Sequence, residues 1–250
     1  MAGNRKTGVV LQPRDLRLIE ALRSMRVISR EQAKVIGGFG SVRRTNDRLL
    51  ALTRAGILKR AFIGTYQAVY WPSDTAISER GHQGAERSTE PTGLFLKHRL
   101  EINRVQLLVQ YQAIPTPGWW FAAWHGFLKP LSETMPLIPD GYFEIGSRQG
   151  VRPHFLEIDL GTEAVPVLAK KANAYLQLAT TGEFERIFKR TQFRVLVITT
   201  SRRRLDHIRQ AILRLTDKIF WFATLEVILP ESFWSASWLR ASGDQMQSLL

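Results

Sequence analysis

The sequence contains no cysteine, and this absence excludes disulfide bonds, thiolate zinc sites and cysteine nucleophiles. Long apolar runs are missing too, because no stretch approaches the roughly 18 uninterrupted apolar residues that a membrane helix needs. The first eight residues, which precede no apolar run, do not resemble a secretory signal. We therefore expect a cytoplasmic protein with no membrane partner.

Two common catalytic patterns are also missing. No glycine-rich loop is followed by Lys and then Ser or Thr, so nucleotide hydrolysis has no support. The five histidines lack the spacing of metal ligands, such as positions i and i+4 of one helix. His154, near a predicted strand, is an alternative general base, although a structural or surface role is favoured for it.

Acidic residues are scarce relative to basic ones. The chain has 35 Lys and Arg against 22 Asp and Glu, a formal net charge of +13. Most of the excess lies in residues 1–100, with 18 basic and 8 acidic residues. Such asymmetry favours a polyanionic partner for the N-terminal part, because neutralising phosphates releases counterions. The alternative is a basic surface that serves solubility.

The composition otherwise predicts a folded protein with two domains. Apolar residues make up 44% and charged residues 23%, which is ordinary for a globular core. A stretch rich in Ser, Thr, Gly, Glu and Pro interrupts the chain at 73–92 and is typical of a linker. We therefore predict an α+β protein with one domain at 1–72 and another at 93–250.

The N-terminal segment has the signals of three helices and a hairpin. Pro13 suits the start of a helix, Ser29 begins a capping-box pattern, and Ser41 can cap a third helix after a glycine-rich break. Residues 57–63 and 67–71 read as two strands joined by a turn. This order predicts a winged helix-turn-helix that binds DNA.

Polar residues on the third helix and the hairpin are the candidate DNA contacts. In this motif the third helix enters the major groove, where Arg pairs with guanine and Asn with adenine. Basic residues beside the wing would contact phosphates. The alternative is that these side chains only solvate an exposed helix, as in winged domains that bind proteins. The candidates are Arg43, Arg44, Asn46, Arg48, Lys59 and Arg60.

The C-terminal segment alternates between strand and helix patterns. Its order, α-β-β-β-α-β-α-β, predicts a mixed sheet with helices on its faces. We expect helices at 93–114, at 164–180 and from residue 202. The expected strands are 119–124, 137–143, 152–159, 193–200 and 219–228.

Three carboxylates fall at strand positions of this domain. Glu157 and Asp159 point to one face because strand side chains alternate, and Asp140 converges on them if the second strand pairs with the third. Carboxylates brought this close repel each other unless a cation neutralises them. Oxygen-rich sites of this kind suit Mg²⁺ or Mn²⁺, which can activate water and stabilise phosphate charge.

Several segments together carry a resemblance to a known family. The chain resembles the replication-relaxation family of plasmids and mobile elements, from Leu11 to about Ile228. The order of strands and acids is similar to the PD-(D/E)XK nuclease superfamily. The segments are His98–Val105, Pro139–Asp140, Phe155–Glu163, Lys170 and Lys171 with Tyr175, and Val195–Thr200 with Arg204.

The resemblance implies a winged helix followed by a nuclease-like domain, acting in replication, mobilisation or DNA processing. It implies double-stranded DNA and other mobile-element proteins as partners, and a homodimer stays open. If the site is active, the resemblance implies a metal-dependent endonuclease that holds Mg²⁺ or Mn²⁺ with Asp140, Glu157 and Asp159. Glu101 would be a fourth carboxylate.

One departure from the superfamily leaves two functions open. Asp159 stands where superfamily members have a lysine that orients the attacking water. Either Lys170 or Lys171 replaces that lysine and the domain cuts or nicks DNA, or the domain is inactive. In the second alternative the protein is a non-enzymatic regulator or accessory factor that binds DNA, recruits a partner and needs no cofactor.

Weaker candidates remain beside these. Tyr142 and Tyr175 lie near the acids and could serve as nucleophiles, although core packing is favoured for both. Trp119, Trp120 and Trp124 are more typical of a packed strand than of a base-stacking surface. The run Arg202–Arg204 could hold phosphate at a helix start or simply be solvated.

Overall fold

The computed structural model describes residues 9–73 and 93–250. The chain forms two compact units, Met1–Leu107 and Leu108–Leu250. The predicted linker lies outside the described residues except for Ser73. That residue is buried, and its hydroxyl donates to the carbonyl of Gly56 at 2.5 Å, so Ser73 is held by the first unit.

Three helices begin the first unit, each capped near its predicted start. They are α1 (Pro13–Met25), α2 (Arg30–Gly37) and α3 (Val42–Arg54). At α2, Ser29 and Gln32 form a reciprocal capping box. The hydroxyl of Ser41 accepts from the Arg44 backbone at 3.2 Å and caps α3. Proline, serine and glutamine therefore set the helix starts as the sequence predicted.

A small antiparallel sheet completes the helical part. Strands β2 (Leu58–Ile63) and β3 (Gln67–Pro72) form a hairpin, and β1 (Ile28–Ser29) pairs with β3 on the other side. Gly64 occupies the hairpin turn with a φ of +60°, a conformation that glycine adopts at little cost. Strand β1 was not predicted, since two residues are too short to display an alternating pattern.

Helix α4 (Gly93–Gln110) packs mainly on the first unit. The buried side chain of Asn103 donates to the carbonyls of Met25 at 3.1 Å and Val27 at 2.6 Å. Leu96 and Leu100 join an apolar cluster with Val27, Val69 and Trp71. The boundary between the units therefore lies inside α4, after Leu107, whereas composition alone placed it at residue 93.

The second unit is built on a mixed six-stranded sheet. Its strand order is β4-β5-β6-β7-β8-β9. Strands β6, β7 and β8 run parallel to their neighbours in that set, and the remaining pairs are antiparallel. The predicted mixed sheet is confirmed. The strands are β4 (Trp120–His125), β5 (Gly141–Ser147), β6 (Gly150–Asp159), β7 (Arg194–Thr199), β8 (Phe220–Thr224) and β9 (Leu239–Arg240).

Four helices alternate with these strands, two of them long (16 and 12 residues) and two short. They are α5 (Val165–Thr180), α6 (Glu183–Phe188), α7 (Arg202–Leu213) and α8 (Pro230–Phe233), with a 3₁₀ turn at Leu225–Val227. One face of the sheet packs against α5, α6 and α7, where Tyr142, Phe155, Val195 and Phe220 share a core. Because side chains alternate, Glu157 and Asp159 point to that face.

The predicted secondary structure differs from the observed one mainly in the short helices and strands. Strand β5 begins at Gly141, so Asp140 precedes the strand instead of lying within it. Helices α6 and α8 and strand β9 were not predicted, because segments of two to six residues have too few positions to show a period.

Candidate functional site

The first half of α3 presents polar side chains to solvent. Arg43, Arg44 and Asn46 are exposed, while Leu49 and Leu52 are buried on the opposite face. The helix is therefore amphipathic, and the three residues are available to an external partner. This placement agrees with the surface that the sequence predicted for them.

Arg48 lies on the same helix but is engaged within the protein. Its guanidinium makes a two-point ion pair with Asp15, with Nε to Oδ1 at 2.9 Å, and also donates to the carbonyl of Val10. The hydrogen bond with Asp15 raises the pKa of Arg48. Arg48 thus fastens α3 to α1, and we remove it from the residues proposed to read DNA.

The hairpin carries further exposed groups next to α3. Arg60 is exposed with its guanidinium 5.1 Å from the ring centroid of Phe62, and Lys59 is half-buried. Tyr66, at the turn, is 90% exposed. Asn46 of α3 and Tyr66 line the same cavity of about 320 Å³, together with Arg30, Glu31, Gln67 and Ala68.

Sequence reasoning missed Tyr66. A large aromatic residue in a Gly-Thr-Tyr turn is the signal that could have found it, because an aromatic side chain at a hairpin tip has no core to enter.

In the second unit, Asp140 and Glu157 lie close together at the edge of β5 and β6. The carboxylate of Asp140 accepts the backbone N–H of Ile158 at 2.8 Å, beside Glu157. Burial raises the pKa of Glu157 to about 7, and the negative charge of Asp140 adds to this shift while Lys171 opposes it. The predicted convergence of the second and third strands therefore brings these two carboxylates together.

Lys171 is the lysine of α5 that meets these acids. Its ammonium contacts the carboxylate of Glu157, and the hydroxyl of Tyr175 donates to the other oxygen. Lys171 and Tyr175 are four residues apart and so share a helix face. Burial acts to lower the pKa of Lys171, and the charges of Glu157 and Asp140 outweigh it and raise that pKa.

The adjacent lysine and the tyrosine do not fit the roles suggested for them. Lys170 is exposed on another face of α5. Burial and the charge of Glu157 raise the pKa of Tyr175 well above its usual value. A buried phenol held in its protonated form is a hydrogen-bond donor and a poor nucleophile.

Asp159 is committed to a different interaction. Arg204 of α7 donates to both of its oxygens, with Nε to Oδ2 at 2.7 Å and Nη2 to Oδ1 at 3.2 Å. The hydroxyl of Thr199 and the backbone of Gly161 donate to it as well. Arg204 also donates to the carbonyl of Glu163, so Asp159 anchors the loop between β6 and α5.

The four-carboxylate metal site expected from the sequence is not formed among the described residues. Glu101 lies on α4 and pairs with Arg104 at 2.6 Å. No group of three or more His, Asp and Glu side chains arranged to hold a metal is found in residues 9–73 and 93–250. Arginine partners satisfy Asp159 and Glu101, which leaves Asp140 and Glu157 as the carboxylate pair.

The remaining candidates are parts of the core. His154 is fully buried and stacks on Phe143 with centroids 4.8 Å apart. Burial, with the charges of Arg194 and Arg152, lowers the pKa of His154 to about 3. Tyr142 donates to Glu144, which in turn pairs with Arg190. His154 lies on the face opposite Glu157, and the hydroxyl of Tyr142 is engaged by Glu144.

These features define an α+β protein with a basic helical unit and an acid-lysine cluster on a mixed sheet. The chain matches the replication-relaxation family over residues 19–191 and belongs to that family, as the sequence indicated. Membership indicates a protein related to replication or mobilisation. No curated protein and no solved structure matches the chain. Within the described residues, no helix has the length and apolarity needed to cross a bilayer.

Proposed function

We propose that the protein binds duplex DNA through α3 and the β2–β3 hairpin, used as a winged helix-turn-helix. The observation that carries this proposal is the shared cavity of Asn46 and Tyr66. Because the exposed half of the helix and the hairpin tip border one space, a single duplex can contact both.

The chemistry of the exposed side chains fits this partner. Arg43 and Arg44 can pair with guanine, and Asn46 can pair with adenine, from the N-terminal turns of a helix in the major groove. Arg60 and Lys59 on the hairpin are suited to phosphates. The concentration of positive charge in residues 1–100 favours association with a polyanion over a protein partner.

The first prediction concerns Arg43 and Arg44. The double variant Arg43→Ala/Arg44→Ala should weaken duplex binding by at least about tenfold, because each good base contact contributes roughly 1–3 kcal/mol. Fluorescence anisotropy with labelled duplexes from replication or mobilisation regions measures this loss. Arg54→Ala is the matched control, since Arg54 is exposed on the last turn of the same helix.

The salt dependence separates base contacts from phosphate contacts. Arg60→Ala should reduce the slope of log K against log [salt] by about 0.9, the value for one phosphate contact on duplex DNA. Unchanged affinity in the α3 double variant, with intact folding, would remove the basis of the proposal.

A second candidate function is metal-dependent cleavage or nicking of DNA by the second unit. The contact between Lys171 and Glu157 favours it, because the nuclease resemblance requires a lysine beside the acids and Asp159 does not supply one. Asp140 and Glu157 would hold one divalent cation through hard oxygen ligands. Bound there, Mg²⁺ or Mn²⁺ would stabilise phosphate charge, while Lys171 would supply the positive charge and hydrogen-bond donors of the missing strand lysine.

The second prediction tests this site with supercoiled plasmid in Mg²⁺ or Mn²⁺. Open circles should form with the wild-type protein, and Asp140→Asn, Glu157→Gln and Lys171→Ala should each reduce their formation at least about 100-fold, because these residues act as a unit. Lys170→Ala is the control and should retain the wild-type rate.

Two outcomes oppose cleavage by this site. If no open circles form on any DNA from the parent element, the second unit is a non-enzymatic platform and Lys171–Glu157 is a structural ion pair. If nicking is equal in wild type and all variants, the activity comes from elsewhere or from a contaminant.

A further inference from the structure

Three arginines lie in a row on the face of the second unit's sheet opposite Glu157. Arg152 of β6, Arg194 of β7 and Arg240 of β9 form this arginine strip. The register gives their common face: Arg194 pairs with His154, two residues after Arg152, and Trp221 of β8 pairs with Arg240. Neighbouring strands are about 4.8 Å apart, so the strip spans roughly 14 Å from β6 to β9.

No acidic side chain of residues 9–73 and 93–250 pairs with the strip. Among the described residues, none of the three arginines has an acidic side chain within 4.0 Å. Their hydrogen-bond partners are backbone carbonyls: Leu249 accepts from Arg152 at 3.2 Å and from Arg194 at 3.1 Å, and Asp217 accepts from Arg240 at 3.2 Å. A carbonyl is neutral, so these hydrogen bonds do not compensate the three charges.

The arginines repel one another in a partly buried setting. Burial and the nearby charges of Arg152 and Arg240 lower the pKa of Arg194 to about 10. The buried Nε of Arg240 has no hydrogen-bond partner. Such an arrangement is costly unless an anion compensates it.

The guanidinium groups of the strip pack over tryptophan rings. Arg152 lies 4.5 Å from the ring centroid of Trp119, and Arg194 and Arg240 lie 4.5 and 5.4 Å from that of Trp221. Cation–π contacts of this kind restrict the side chains while leaving in-plane N–H donors for other partners. All three arginines retain partial exposure, so their remaining donors can reach a ligand.

We propose that the arginine strip is a phosphate-binding surface for a nucleic-acid strand. Guanidinium groups bind phosphate bidentately, and a span of roughly 14 Å exceeds what one phosphate can bridge. A polynucleotide presents successive phosphates and can engage all three arginines. The strip is a second contact surface, built from different residues than α3 and the hairpin, and it does not depend on DNA binding by those elements.

The third prediction tests the strip in the full-length chain. Binding of a labelled single-stranded oligonucleotide is measured as a function of salt for wild type and for Arg152→Gln/Arg240→Gln. The slope of log K against log [salt] should fall by about 0.7 for each arginine removed, the value for one phosphate of a single strand. The control Arg148→Gln/Arg214→Gln removes the same charge from two other exposed positions and should leave the slope close to that of wild type.

The remaining arms distinguish the sources of phosphate and guard against misfolding. Pyrophosphate should compete only weakly; strong competition would identify a free phosphate compound as the ligand and overturn the strand proposal. Arg152→Lys/Arg240→Lys keeps both charges and should retain most of the wild-type slope. Circular dichroism checks that the Gln variant is folded, so that its lower slope reports the lost charges. Equal loss in the Gln variant and its control would show a general charge effect and overturn the site.

The α3 variants separate this proposal from the proposed function. Arg43→Ala/Arg44→Ala should weaken duplex binding and leave the strip's contribution to the single-strand slope intact. If Arg152→Gln/Arg240→Gln leaves the single-strand slope unchanged while the α3 variant still weakens duplex binding, the strip proposal fails and the proposed function stands. If the α3 variant leaves duplex binding unchanged while the strip variant lowers the single-strand slope, the proposed function fails and the strip proposal stands.

Discussion

Asp15 commits Arg48, a side chain suited to DNA binding, to a structural role in the fold. It is fully buried, and Arg48 pairs with it while retaining 18% exposure of its own side chain. Asp15 also accepts the backbone N–H of Gln12 at 2.6 Å at the start of α1. Within the part of the chain that the structure describes, no acid pairs with the exposed neighbours Arg43 and Arg44. Arginines of one helix therefore divide into a structural group and an available group.

The fourth prediction follows from this division. Asp15→Ala should lower the free energy of unfolding by about 3 kcal/mol, because removing one partner of a buried pair leaves the other charge uncompensated. Urea unfolding followed by circular dichroism measures the change. The control Glu20→Ala removes an exposed partner of Arg23 on the same helix and should cost less than about 1 kcal/mol. Similar losses for both variants would contradict a structural role for Arg48.

Helix α4 demonstrates that one element can be placed by polar contacts as well as by apolar area. Asn103 is buried and satisfies two carbonyls at the end of α1, and Gln32 donates to the Leu100 carbonyl at 3.0 Å. These bonds fix the helix against β1 and β3, where Leu96 and Leu100 pack. They explain why the unit boundary falls within the helix.

The fifth prediction tests the attachment of α4. Asn103→Leu should destabilise the first unit by roughly 2 kcal/mol, because the carbonyls of Met25 and Val27 both lose the buried amide donor that links them to α4. Amide hydrogen exchange, which reports local opening, should show faster exchange in α1 and α4. Arg104→Ala is the control, since its pair with Glu101 is partly exposed. Equal exchange in the two variants would mean that Asn103 does not secure the helix.

Across the whole chain, charge is arranged in separate surfaces. The excess of basic residues in the first 100 positions includes the exposed arginines of α3. The second unit has a nearly balanced composition, yet its sheet carries the arginine strip on one face and the Asp140–Glu157 pair on the other. Overall net charge therefore does not locate these surfaces, because their positions depend on helix packing and strand register.

The sequence alone predicted the longer helices and strands, the helix caps and the mixed sheet, because these depend on local signals and short periods. It also indicated Asp140, Glu157 and the family. Only the tertiary structure selected Lys171 over Lys170, assigned Asp159 to Arg204 and Arg48 to Asp15, and moved α4 to the first unit. Those choices depend on contacts between residues 14 to 78 positions apart, and spacing along the chain carries no information about which side chains meet across such distances.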